Sequence, residues 1–375
     1  MNSKALVVLL AATVVIGTAA AIVLVRGGGS AISQPPERLL PALAHRINDV
    51  AVISLRKGGE NLTISRREPE WVVDQLGGFP ATFESVKELI VAASELKALE
   101  PKTRTTALHS RLGVEDPGEG AASTLLTFSD AAGVTIASII VGHQGPAGAG
   151  TAMTLFVRIP DDPQSWLAQG RLTTSTDPMT WVKRDVISLN NSRIHSATIT
   201  HADGEQVVLS RAAAEVTNFS LADVPPDRAI GQAGTLNASA QALSFVSAEN
   251  IRTAAEIEWE GPDAVTAEFR TFDGMLLTVR SAQVDETWWI TISASATQPL
   301  EGQSAEGGDV AKEAADLHAR LSPWAFAVSS FKAEQMRRRM EDLLQPRTEV
   351  EGEVPGQPAI EPSKPPSMFG PTGGE

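Results

Sequence analysis

Two stretches of the chain carry the same alternation of polar and apolar positions. The first passes through Val50-Ala51-Val52-Ile53-Ser54-Leu55, turns at Gly58-Gly59-Glu60 and returns through Leu62-Thr63-Ile64-Ser65-Arg66. The second passes through Ile194-His195-Ser196-Ala197-Thr198-Ile199-Thr200, turns at Asp203-Gly204-Glu205 and returns through Val207-Val208-Leu209-Ser210-Arg211. Apolar residues at every second position on either side of an Xaa-Gly turn predict a β-hairpin in each place. Gly59-Glu60 falls on Gly204-Glu205, and Arg66 on Arg211, at an offset of 145.

The segments after the two hairpins are parallel as well. After the first come Trp71-Val72-Val73, a break at Gly77-Gly78 and Pro80, and a helix that Thr82 is placed to cap. Its apolar stripe is Phe83, Val86, Leu89, Ile90, Ala93 and Leu96, reaching about Leu99 before Pro101. Residues 123–128 and 134–141 form a further hairpin, a glycine-rich loop spans 142–150, and Leu155 to Ile159 is extended. After the second hairpin come Phe219-Ser220-Leu221, a break at Pro225-Pro226 and a helix through Asn237, Leu243 and Val246. Strands at 265–271 and 275–281 pair across Phe272-Asp273-Gly274, and Trp288-Trp289-Ile290 begins a last strand. The expected fold class is therefore α+β, two tandem repeats of a hairpin–helix–hairpin unit at residues 39–185 and 186–300. A period near 145 is far longer than the roughly 20–50 residues of a solenoid repeat. Residues 309–344 read as a helical segment with a break at Pro323, and residues 346–375 as a disordered, proline-rich tail.

The N-terminus differs from everything after it. From Ala5 to Val25 no residue is charged, and 21 residues of helix span about 32 Å, close to a hydrocarbon core of roughly 30 Å. Thr18-Ala19-Ala20 would suit a signal-peptide cut, but the apolar run continues through Ile22-Val23-Leu24-Val25. Residues 1–26 are therefore expected to be an uncleaved signal-anchor and residues 27–38 a tether. That places the chain in a cell inner membrane with its bulk periplasmic. A formal charge of −14 argues against nucleic acid as a partner. The complete lack of cysteine removes thiolate and disulfide chemistry.

Several short stretches resemble a bacterial family known only as domain of unknown function 4340. They are Arg66…Trp71-Val72-Val73, Leu96…Leu99-Glu100-Pro101-Lys102-Thr103, Arg111-Leu112-Gly113-Val114-Glu115-Asp116, Gln164-Ser165-Trp166-Leu167 and Phe269-Arg270-Thr271-Phe272-Asp273-Gly274. The resemblance runs from about Leu39 to Leu344. It implies a single-pass membrane protein that accompanies gliding-motility-type ABC transporters and their auxiliary subunits. It carries over no catalytic residue.

The residues themselves point the same way. His195 and His201, six apart on one strand, would lie about 20 Å apart, too far to share an ion. The other four histidines stand in separate segments, so no metal or cofactor is expected. Glu256, Glu258 and Glu260 alternate with Ile257 and Trp259, which reads as the solvated face of a half-buried strand. No nucleophile elbow, phosphate-binding loop or dinucleotide fingerprint is present. The expected function is a non-enzymatic, membrane-anchored accessory protein with a protein partner, an ABC-type transporter or auxiliary subunit. A glycan- or peptidoglycan-binding module using tryptophans is the alternative, and a hydrolase built from scattered carboxylates and histidines the less favoured one. The candidate interaction surface comprises Trp71, Trp288, Trp289 and the triplet Arg337, Arg338, Arg339, with Arg66 or Arg67 placed to stack on Trp71.

Overall fold

A computed structural model describes residues 37–146, 153–300 and 308–346. The anchor expected at residues 5–25, most of the tail and the centre of the glycine-rich loop lie outside them. Among the described residues no helix is long and apolar enough to cross a membrane.

The chain mixes helix with antiparallel sheet. Its first half holds α1 (Pro41–His45), β1 (Val52–Lys57), β2 (Glu60–Arg67), β3 (Glu70–Val73), β4 (Phe79–Pro80) and α2 (Phe83–Ser94). It continues with β5 (Lys97–Pro101), α3 (His109–Leu112), β6 (Thr124–Ser129), β7 (Thr135–Gln144), β8 (Thr154–Arg158) and β9 (Ser165–Gln169). These strands form one sheet in the order β4-β3-β2-β1-β6-β7-β8-β9-β5. The second half holds β10 (Asp185–Ile187), β11 (Ile194–His201), β12 (Gln206–Ser210), β13 (Ser220–Leu221), α4 (Ala233–Ala240), β14 (Val246–Ser247) and β15 (Asn250–Thr253). After these come β16 (Val265–Thr271), β17 (Met275–Val284), β18 (Thr287–Ala296), α5 (Val310–Leu321), β19 (Trp324–Val328) and α6 (Ser330–Gln335). The second sheet has the order β13-β12-β11-β16-β17-β18-β19-β15, and β10 pairs separately with β14. Apart from β4, the two sheets arrange corresponding strands in the same order.

The hairpins show why the pattern recurs. In the first, Ile53 opposes Ile64 and Phe128, while Leu55 opposes Leu62 and Leu126. In the second, Ala197 opposes Leu209 and Phe269, while Ile199 opposes Val207 and Ala267. All of these are buried, so each alternation is the inward face of a strand packed from both sides by its neighbours. The second turn is one residue longer: Lys57 opposes Glu60, whereas the backbone N–H of His201 bonds to the Glu205 carbonyl. The offset is accordingly 145 on the returning strands and one less on the outgoing ones, which keeps the apolar set facing inward.

Four sequence expectations change. The second helix ends at Ala240 instead of running through Leu243 and Val246: Ala242–Ser244 is a 3₁₀ turn and Val246 lies in β14. The first helix ends at Ser94, not near Leu99: Leu96 is buried beyond the helix, and Lys97–Pro101 is an edge strand on which Leu99 is 44% exposed. Apolar residues three apart in a loop-to-strand passage imitate helical spacing there. Residues 309–344 are not a separate helical segment, because Trp324–Val328 is a strand inserted between β18 and β15. Its residues, Trp-Ala-Phe-Ala-Val, complete the second sheet, and the aromatic and branched side chains suit a buried strand. Glu256 ends a 3₁₀ turn and no strand comes after it before Val265, so the three glutamates do not share a strand face.

Most buried apolar side chains of both halves form one continuous core, and a smaller second cluster surrounds Trp289. At the joint, Phe79 packs edge-on against Trp324 and Phe326, with ring centroids 5.0 and 6.2 Å away. The Thr82 N–H donates to the carbonyl of fully buried Trp181 in the connecting segment. A Cβ on Gly77 would stand 2.7 Å from the Thr253 methyl of the second half, so the backbones approach closely there.

Candidate functional site

Arg337, Arg338 and Arg339 lie beyond α6 in an irregular stretch, and all three side chains are engaged with the second half. The Arg337 guanidinium lies 4.0 Å above the Trp288 ring and donates to the Asp263 carbonyl and to Ser281 Oγ. Burial pushes its pKa down. Arg338 donates to the Thr235 carbonyl at 2.9 Å and to Ser239 Oγ at 3.2 Å. Arg339 pairs with Asp203 and Glu205 of the β11–β12 turn, and Glu205 also accepts the Met340 N–H. Glu60, the matching turn residue of the first hairpin, accepts a hydrogen bond from Thr176. Both turn glutamates thus tie down a chain segment that arrives much later.

The tryptophans are similarly engaged. Trp289 is 2% exposed, packed with Ile257, Ala282, Ala325 and Ala327, and Arg252 covers its ring at 4.7 Å. Trp288 is half-buried beneath Arg337. Trp289 therefore offers no open face for sugar stacking, and Arg337 covers one face of Trp288. The stack expected at Trp71 forms in the second half instead, where Arg211 lies 4.8 Å from the Phe219 ring. Arg66 turns away to Glu68, 3.2 Å distant.

The histidines do not converge. His201 is buried, its Nε2 3.4 Å from the Arg338 carbonyl. His195 sits where the β11–β16 register shifts, edge-on to Phe272 at 5.1 Å. Among the described residues no group of three or more His, Asp or Glu side chains could hold a metal ion.

Trp71 is the candidate that leads to a site. It is 9% exposed and faces inward from β3, opposite Arg66 on β2. The two residues form one wall of a cavity of about 580 Å³ between this hairpin, α2 and the segment after α1. Ile47, Asn48, Val50 and Pro69 contribute from the sheet side, and Phe83, Lys87, Ile90 and Val91 from the helix. Val50 and Ile90 are buried, while Phe83 and Val91 stand out of the rim at 59% and 37% exposure. Phe83, Lys87 and Val91 are each four residues apart and so share one stripe of α2, separate from the core stripe of Val86, Leu89 and Ala93. The helix begins after Thr82 as its sequence predicts, although the Thr82 hydroxyl makes no capping bond.

The charged residues lining this cavity are Arg66 and Lys87, both cations. Their acidic partners, Glu68 and Glu84, are 80% and 77% exposed, at 3.2 and 3.7 Å. Such solvated pairs hold their partners weakly, by about 0–1 kcal/mol. Phe83 also lines a second cavity of about 340 Å³ at the joint, with Phe79, Leu321 and Phe326 on its apolar side and Glu70, Lys183, Asp185 and Arg320 on its charged side. Phe83 is thus the partition between a cationic apolar groove on the first half and a mixed pocket at the seam. Helical spacing alone assigns Phe83 to the core. The signal that could have found the groove was Val91, an apolar residue off the core stripe.

The profile of a family described as a domain of unknown function (DUF4340) matches residues 71–265, just over half of the chain. No curated protein matches the chain, and no solved structure does.

Proposed function

Because this chain belongs to the DUF4340 family, we propose that it is a non-enzymatic binding module tethered to a membrane through residues 5–25. Its two α+β units serve an ABC-type transporter or cell-envelope complex outside the cytoplasm. We read the units as tandem copies of one fold; the matching strand order and the parallel burial of Phe128 and Phe269 support that reading. The observation that carries the binding role is the groove beside Trp71: a concave, apolar floor with exposed apolar residues on its rim and cations as its charged lining. Such a surface is what a recognition site offers and what an ordinary solvated face lacks.

The test is purification of the tagged full-length chain from membranes in mild detergent, with the bound proteins identified by mass spectrometry. Recovery of the permease or ATPase of an ABC transporter, lost on Phe83→Asp, is the expected result. Recovery of neither subunit, with the chain itself intact, would remove the transporter association. Protease added to intact spheroplasts should digest the chain down to its anchor, and full protection would overturn the placement outside the cytoplasm.

A further inference from the structure

Resting on that reading, we infer that the groove beside Trp71 binds a single-chain anionic amphiphile, an acyl chain ending in a carboxylate, drawn from the membrane next to it. Two features select this occupant. Its apolar body matches the lining of Val50, Trp71, Ile90 and Val91, of which the first three are already buried. Its single negative head matches Arg66 on the strand wall and Lys87 on the helix wall, the charged groups of the lining. On a chain of net charge −14, an apolar groove whose charged lining is cationic discriminates for anions locally, while the acidic remainder repels them at long range. Displacing Glu68 and Glu84 costs little because both are solvated.

Position along the chain argues for a membrane source over a soluble one. Twelve tether residues, 27–38, separate the proposed anchor from Leu39 and span at most about 43 Å. Ile47, Asn48 and Val50, the first groove residues, come soon after. Three of the ten residues that line the groove thus lie within twelve positions of the end of the tether.

The experiment uses the full-length chain in phosphatidylcholine nanodiscs with a diazirine-bearing fatty acid, and maps photo-crosslinked peptides by mass spectrometry. Crosslinks should concentrate in the peptides carrying Trp71, Phe83 and Val91. Decanoate should suppress them at concentrations about tenfold lower than methyl decanoate does, because the ester lacks the charge that hydrogen-bonds to Arg66 and Lys87. Val91→Asp should abolish the labelling, and Arg66→Gln with Lys87→Gln should erase the difference between acid and ester. Val91 and both cations are at least a third exposed, so these variants keep the fold, checked by unchanged unfolding midpoints. Labelling confined to residues 5–25, equal competition by acid and ester, or labelling indifferent to Val91→Asp would each overturn the inference. Crosslinks between two copies of the chain through these peptides, made with a bifunctional reagent in discs without fatty acid, would overturn it in favour of self-association. Transporter co-purification is a separate readout, so either result can fail while the other stands.

Discussion

Phe79 of the first half stands edge-on to Trp324 of the second, with ring centroids 5.0 Å apart and planes at 75°. Gly77, two residues before Phe79, brings the backbone against Thr253. The two sheets are therefore joined by packed aromatic side chains as well as by the covalent connection between them.

Phe79→Ala should accordingly lower the stability of the whole chain by about 2–3 kcal/mol, less than a fully buried Phe→Ala because Phe79 is only partly covered. Urea unfolding followed by tryptophan fluorescence gives the number. A red-shifted native emission should accompany it as Trp324 gains water.

Arg337→Ala distinguishes a structural arginine from a surface one. If the Trp288 stack and the bonds to Asp263 and Ser281 hold the C-terminal segment down, the loss is about 1–2 kcal/mol. Denaturant unfolding measures it. Unchanged stability with lost partner recovery would instead return the triplet to the interaction surface.

His195 gives a pH dependence with a definite sign. Burial, and then the charges of Arg270 and Arg211, hold its pKa below the usual 6.5. Its Nδ1 is buried without a hydrogen-bond partner. Below about pH 6.5 the unfolded chain binds a proton that the folded chain refuses, so stability falls as pH drops through that value and levels off below the folded pKa. In His195→Gln, denaturant midpoints between about pH 7.5 and 5.5 should change less than in the parent chain.

Gly142→Ala should cost about 1–3 kcal/mol by overpacking. A Cβ there would stand 2.3 Å from the Leu112 carbonyl and 2.7 Å from Val114. Gly142 opens the glycine-rich stretch, but it lies within β7, where the turn after α3 crosses close above the strand. Thermal unfolding of this variant beside Gly133→Ala, whose Cβ would meet nothing, separates crowding from left-handed backbone strain, since Gly133 has φ of +77°.

The hairpins were legible because their information is local. Leu55 and Leu62 must face one way and Thr63 the other, and a two-residue period around a glycine turn leaves no second arrangement. The first helix was legible for the same reason through Val86, Leu89 and Ala93. The strand at Trp324–Val328 was not: five residues between two helices show too short a pattern, and only the gap between β18 and β15 makes them a strand. The groove was hidden for a related reason. Phe83 satisfies helical spacing equally well as a core residue or as a rim, and Arg66 reads the same whether it stacks on an aromatic ring or turns to Glu68.

The sequence by itself determined the periodic elements, their repetition, the acidic and cysteine-free character, and the uncharged run at residues 5–25, because each is a property of neighbours along the chain. The tertiary structure alone decided that Arg337, Arg338 and Arg339 close the second half, that Trp289 lies under Arg252, and that Phe83 stands between two cavities. Which face of a residue meets water depends on segments far away along the chain, and the order of residues does not encode those distances directly.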